Sequence, residues 1–101
     1  MHCPHLLDVE IAQVIRRYTI GAKISGERGR IALTDLSDLS DLPLRRHPHH
    51  YLLPRVWKLR NNLCAYDAIY VALAELLDAP LLTRDHRLAS TIGSQTKIEL
   101  V

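Results

Sequence analysis

Apolar positions recur every three or four residues through the first third of the chain. Leu6, Leu7, Val14, Ile15 and Tyr18 make one stripe, and Pro4 suits a first helical turn. Gly21 ends that helix or follows its end. Ser25 is a favoured N-cap for a second helix carrying Ile31, Ala32, Leu36 and Leu39, although Gly26 and Gly29 weaken its start. Leu42-Pro43-Leu44-Arg45-Arg46 reads as a short strand with its proline at the beginning or edge, and His47-Pro48-His49-His50 as a loop. Leu53, Val56, Trp57 and Arg60 predict a third helix over about 52–61, and a fourth covers 65–77. Asp78-Ala79-Pro80 turns the chain into the strand Leu81-Leu82-Thr83, a turn of helix follows, and Lys97-Ile98-Glu99-Leu100-Val101 closes as a strand. Helices alternating with short apolar strands predict an α/β domain with a largely parallel sheet.

Three carboxylates interrupt this pattern. Glu10 falls among Leu6, Leu7, Val14 and Ile15, and Asp67 among Leu63, Cys64, Tyr70 and Val71. At helical spacing both share the face that should form the core. Asp85 follows Pro80-Leu81-Leu82-Thr83 and opens His86-Arg87-Leu88-Ala89. A buried charge is costly unless it is paired, hydrogen-bonded or bound to a metal. Three acids converging from different elements would share one remedy, a hard divalent cation. Ligands of open parallel sheets bind beyond the carboxyl ends of the strands, where Asp85 sits. Asp67 lies in a first helical turn, where the helix dipole favours an anion. Each acid also has a plainer role: Asp85 as the N-cap of the helix that follows, Asp67 as a dipole partner, Glu10 as the partner of an arginine on a neighbouring element.

The chemistry follows from the residue types. Carboxylates hold Mg²⁺ together with several waters, and such a site lowers the pKa of water beside a phosphate. Thr83 is placed to orient a carboxylate or a water through its hydroxyl. Arg84, Arg87, Arg17, Arg55 and Arg60 are candidates for positioning a polyanionic substrate. Composition adds limits. At 101 residues there is room for one small domain. Phe is absent, so the core is built from Leu, Ile, Val and Ala. A net charge of +2 is too weak to argue nucleic-acid binding by itself. Cys3 and Cys64 match no disulfide framework and no CxxC pair, which fits a reducing cytoplasm. No apolar run approaches the ~20 residues of a membrane span, and Arg16 and Arg17 end the first apolar stretch rather than precede it, unlike a signal peptide. His2, Cys3, His5, His47, His49 and His50 fit no zinc spacing. Arg16-Arg17 and Arg45-Arg46 read as solvated charge, and Trp57, Tyr66 and Tyr70 as core or interface rather than as stacking partners for bases. A nucleotide-binding α/β domain would need a Gly-rich phosphate loop, and the sequence has none.

Pro4-His5-Leu6-Leu7-Asp8-Val9-Glu10, followed by Arg16-Arg17, resembles the second-helix signature of PIN-domain proteins of the VapC toxin type. Leu53-Pro54-Arg55-Val56-Trp57 with Tyr66-Asp67-Ala68-Ile69-Tyr70-Val71-Ala72-Leu73-Ala74 resembles that family's helix with the third acid. Ala79-Pro80-Leu81-Leu82-Thr83-Arg84-Asp85-His86-Arg87-Leu88-Ala89 resembles the strand and turn with the fourth. The resemblance implies Mg²⁺- or Mn²⁺-dependent cleavage of RNA, with Glu10, Asp67 and Asp85 as metal ligands, Thr83 beside them, and the five arginines near the RNA. It implies a VapB-like antitoxin as partner, a homodimer and a cytoplasmic toxin. The family opens with an apolar strand ending in Asp, whereas Met1-His2-Cys3-Pro4 looks like the end of the family's second strand. The expectation is therefore a partial PIN domain over 1–101, without the first strand and the helical segment after it. Loss of a central strand leaves open sheet edges, so the chain alone is expected to associate or remain partly unfolded. The alternative function is an inactive remnant that only binds an antitoxin or dimerises. Cys64 stands where the family usually has a Ser or Thr cap, a difference of ~1 kcal/mol at that helix start.

Overall fold

The computed structural model describes residues 1–37, 44–83, 85–90 and 97–101. Leu39, Leu42, Pro43 and Arg84, each given a role above, lie outside them. The chain forms two compact units, Met1–Arg46 and His47–Val101, where its length suggested one small domain.

In the first unit a short strand β1, His2–Pro4, leads into α1, Leu6–Ile20, and α2, Gly26–Ser37; β2, Arg45–His47, begins at its end. β1 pairs with β2, and the Arg45 amide donates to the Met1 carbonyl at 2.8 Å. Arg46, read above as solvated, instead grips Asp8 of α1 with two bonds of 2.7 and 3.0 Å. Bidentate geometry recruits the planar guanidinium where a point charge would stay in water. The helix ends follow local chemistry. Ser25 Oγ accepts the Arg28 amide at 3.1 Å and so caps α2. At the end of α1 the left-handed residue is Ala22 rather than Gly21, with φ 58°. The amides of Ala22 and Lys23 return to the Thr19 and Tyr18 carbonyls, a Schellman closure. Gly29 has its own reason: a Cβ there would stand 3.0 Å from Thr19 Oγ1 and 3.2 Å from Ile15 Cγ2. The glycine lets α2 approach α1 on its Ile15–Thr19 face.

The second unit begins with one turn of 3₁₀ helix, His50–Leu52. It continues through α3, Leu53–Lys58; α4, Ala65–Leu76; β3, Leu81–Thr83; α5, His86–Ala89; and β4, Ile98–Leu100. α3 is shorter than its periodicity suggested. The Leu59 amide is shared between the Arg55 and Val56 carbonyls, both at 3.1 Å, and the chain then turns through 61–64. α4 is the buried helix, with Ala68, Ile69, Val71, Ala72, Leu73 and Ala74 all inside. Leu59, Ala68, Val71 and Leu88 make a core cluster, with Val56, Leu63, Leu81 and Ile98 packed on it. β3 and β4 are parallel, Leu81 opposite Ile98 and Thr83 opposite Leu100. The fold class is thus α/β, with parallel pairing as expected; among the described residues each of the two sheets has two strands. α4 closes like α1, with Asp78 at φ 50° and the Asp78 and Ala79 amides bonded to the Glu75 and Ala74 carbonyls. Among the described residues no helix is long and apolar enough to cross a membrane.

Candidate active site

The site is built where β3 gives way to α5 and where α4 begins. Thr83 Oγ1 accepts the backbone N–H of Asp85 at 3.0 Å, so the hydroxyl secures the turn that carries Asp85. Asp85 is extended and caps α5: its Oδ1 accepts the Arg87 amide at 2.8 Å and the Leu88 amide at 3.4 Å. The Arg87 amide is the main cause that holds the Asp85 carboxyl below the usual carboxylate range. Partial burial opposes it, and the Leu88 amide and Arg87 guanidinium reinforce it. Leu88 is buried in the core cluster, so the short helix and its cap are anchored from below. The plain role foreseen for Asp85 is therefore real, and it engages one oxygen. Its Oδ2 lies 3.5 Å from the Arg87 guanidinium.

Asp67 reaches the same place from the first turn of α4. Its neighbours Ala68 and Val71 are fully buried, and its own carboxylate is half-buried; among the described residues it makes no ion pair. Cys64 holds the extended N-cap conformation before α4, and its side chain makes no cap bond. One cavity of about 230 Å³ is lined by Asn62, Leu63, Cys64, Asp67, Asp85, Arg87 and Leu88. Two acids that lie 18 positions apart in sequence thus share one opening. Sequence reasoning missed Asn62. Its only signal was a second polar residue, after Asn61, just ahead of the helix that bears Asp67.

The remaining candidates are dispersed. Glu10 belongs to the first unit, where it is exposed, and α1 contains no buried residue. The expectation that it shares a buried face is corrected. α2 packs on Ile15 and Thr19, and Thr19, nine positions on, points about 180° away from Glu10 around the helix. Arg17 is exposed on the same helix. Arg55 turns into Glu75 of α4 with two bonds, 2.5 and 3.0 Å, and Glu75 is only 6% exposed. That arginine ties two helices together. Arg60 lies over the Trp57 ring, 4.4 Å from its centre, and Arg87 lines the acid cavity. Trp57 and Tyr66, assigned above to core or interface, are both 66% exposed. Val56, next to Trp57, and Ala68, two residues beyond Tyr66, take the core positions instead.

The donor chemistry of the cavity suits a hard divalent cation. Two carboxylates and an amide oxygen are oxygen ligands, and Mg²⁺ is commonly held by one or two carboxylates with its own waters and a phosphate. Among the described residues no group of three or more His, Cys, Asp or Glu is placed to hold a metal.

No protein-family model matches the chain. Curated relatives align with it from end to end. It is 46% identical to ribonuclease VapC1 of Mycobacterium tuberculosis over 101 residues, 99% of this chain and 74% of that protein. It is 43% identical to ribonuclease VapC9 of the same organism, covering 100% of this chain and 77% of the relative. It is 38% identical to ribonuclease VapC12, again over 100% of this chain and 76% of the relative.

Proposed function

This chain belongs to the VapC family of ribonucleases, and on that premise we propose that it hydrolyses RNA phosphodiester bonds with Mg²⁺ or Mn²⁺ held at Asp67 and Asp85. The biological role proposed is that of the toxin in a VapBC-type pair, silenced by a VapB-like antitoxin. The cavity that Asp67 and Asp85 share is the observation that carries the reading. A bound divalent ion supplies a Lewis acid and a water of lowered pKa. The chain's own residues do the rest. Thr83 and the α5 amides hold Asp85 in place through its backbone and one carboxylate oxygen. Arg87, on the cavity wall, offsets the repulsion that two carboxylates exert on an approaching phosphate. Glu10 is kept as the third acid, and Arg17 and Arg84 as RNA contacts, on the strength of the family resemblance alone.

Val9 and Ile20, about two-thirds exposed and on the same side of α1, are apolar positions that a protein partner would cover. The homodimer suggested by the family remains part of the proposal.

The test is RNA cleavage with and without the metal. Cleavage should need Mg²⁺ or Mn²⁺ and stop with a chelator. Asp67→Asn keeps the side-chain shape and removes the charge, so it should lower the rate about a hundredfold with the unfolding midpoint unchanged. Glu10→Gln should follow it. If Asp67→Asn cleaves as fast as the parent, the metal assignment is wrong; if only Glu10→Gln does, Glu10 leaves the set.

A further inference from the structure

We infer that Trp57 and Arg60 form a platform on which a base of single-stranded RNA stacks, next to the nucleotide whose phosphate meets the acids. The inference rests on the ribonuclease reading and extends it to Trp57, read above as core or interface, with Arg60 beside it. Trp57 is 66% exposed, although a tryptophan gains more than most residues from burial. Its ring is held, not free. The Arg60 guanidinium lies 4.4 Å from the ring centre, and Arg60 Nη1 donates to the Trp57 carbonyl at 2.9 Å. Arg60 lies in the turn that follows α3 and folds back over Trp57, so the two side chains make a flat, polarised surface. Among the described residues Arg60 makes no ion pair with a carboxylate, so its charge is available to a phosphate.

The surroundings match a nucleotide in shape and charge. A groove of about 350 Å³ is lined by Leu53, Val56, Trp57, Arg60, Leu63 and Ala65: apolar walls, one cation and no acid. Stacking on aromatic rings beside a basic group is how single strands are held without regard to sequence. The groove also borders the candidate active site. Leu63 lines both openings, and the next two residues divide between them, Cys64 facing the acid cavity and Ala65 the groove. A strand with one phosphate at Asp67 and Asp85 therefore passes its neighbouring nucleotide over Leu63 onto Trp57.

The chain has one tryptophan, so its intrinsic fluorescence reports on the platform alone. The experiment titrates the full chain with a single-stranded RNA of about ten nucleotides, in chelator so that the RNA stays intact. Binding is followed separately by anisotropy of a labelled copy of that RNA. Emission should fall saturably, with the midpoint of the anisotropy curve. Trp57→Ala and Arg60→Gln should each raise the Kd about tenfold, while Trp57→Tyr, which keeps a stacking face, stays within about threefold of the parent. Binding without a change in emission, and unaffected by Trp57→Ala, overturns the platform and leaves the ribonuclease reading standing. RNA that neither binds nor is cleaved when metal is restored overturns both. Emission that responds to protein concentration or to an antitoxin, but not to RNA, makes the surface a protein contact and overturns the inference.

Discussion

At the residue scale, Cys64 isolates one physical effect. Its backbone has the extended conformation that an N-cap requires, yet the thiol makes no bond to the first amides of α4. Sulfur is a weak acceptor, so orphan amides that Ser or Thr would satisfy are left to solvent. Cys64→Ser should raise stability by about 1 kcal/mol, read as a shift in the urea midpoint at constant slope. An unchanged midpoint would mean that those amides gain nothing from a hydroxyl. Asp85 teaches the complementary lesson. Both roles legible in its sequence context, cap and acid, are compatible because a carboxylate has two oxygens, and the cap bonds engage only one of them.

At the element scale, α3 and α4 are tied by Arg55 and Glu75, 20 positions apart. The pair is mostly out of water, with Glu75 at 6% exposure. Truncating one side chain removes the ion pair from a charge held mostly out of water, whereas replacing both with apolar groups removes both charges. Arg55→Ala should therefore cost about 3 kcal/mol, and the double change Arg55→Met with Glu75→Leu should recover most of it. Chemical denaturation of the two single variants and the double variant measures this directly. A double variant as unstable as Arg55→Ala would show that the two side chains hold the helices by more than mutual charge. The same assay separates this structural arginine from Arg60 and Arg87, whose removal should alter RNA binding with little effect on stability.

At the scale of the whole molecule, the second unit has a defined core under its site, while α1 in the first unit buries none of its residues. Val9, Val14, Tyr18, Ile20, Ile31 and Leu33 remain exposed. Large apolar side chains in water favour association, because covering them releases water. The purified chain should bind a hydrophobic dye and elute from size-exclusion as more than a monomer. Val14→Lys with Ile20→Lys should reduce both signals without shifting RNA cleavage. A monodisperse monomer that binds no dye would show that these positions do not drive association, and would count against a protein partner there.

How much of this was legible in the chain follows the range of the forces involved. Helices, their caps and the closing strands are governed by neighbours three or four positions away. The helix α1, the Ser25 cap, the Asp85 cap and the Leu81-Leu82-Thr83 strand were therefore readable from residue order, whereas Val14 and Tyr18 of the expected α1 stripe stay exposed. So was the chemical suspicion attached to Asp67 and Asp85, since an acid on an apolar face needs an explanation. Other features depend on segments far apart in sequence and on which face each helix turns inward. Those decided that Asp67 and Asp85 share a cavity, that Glu10 points away from the packed face of α1, and that Arg55 belongs to Glu75. They also left Trp57 outside, because the Leu59 and Val71 contacts that orient α3 and α4 carry no signature in local spacing.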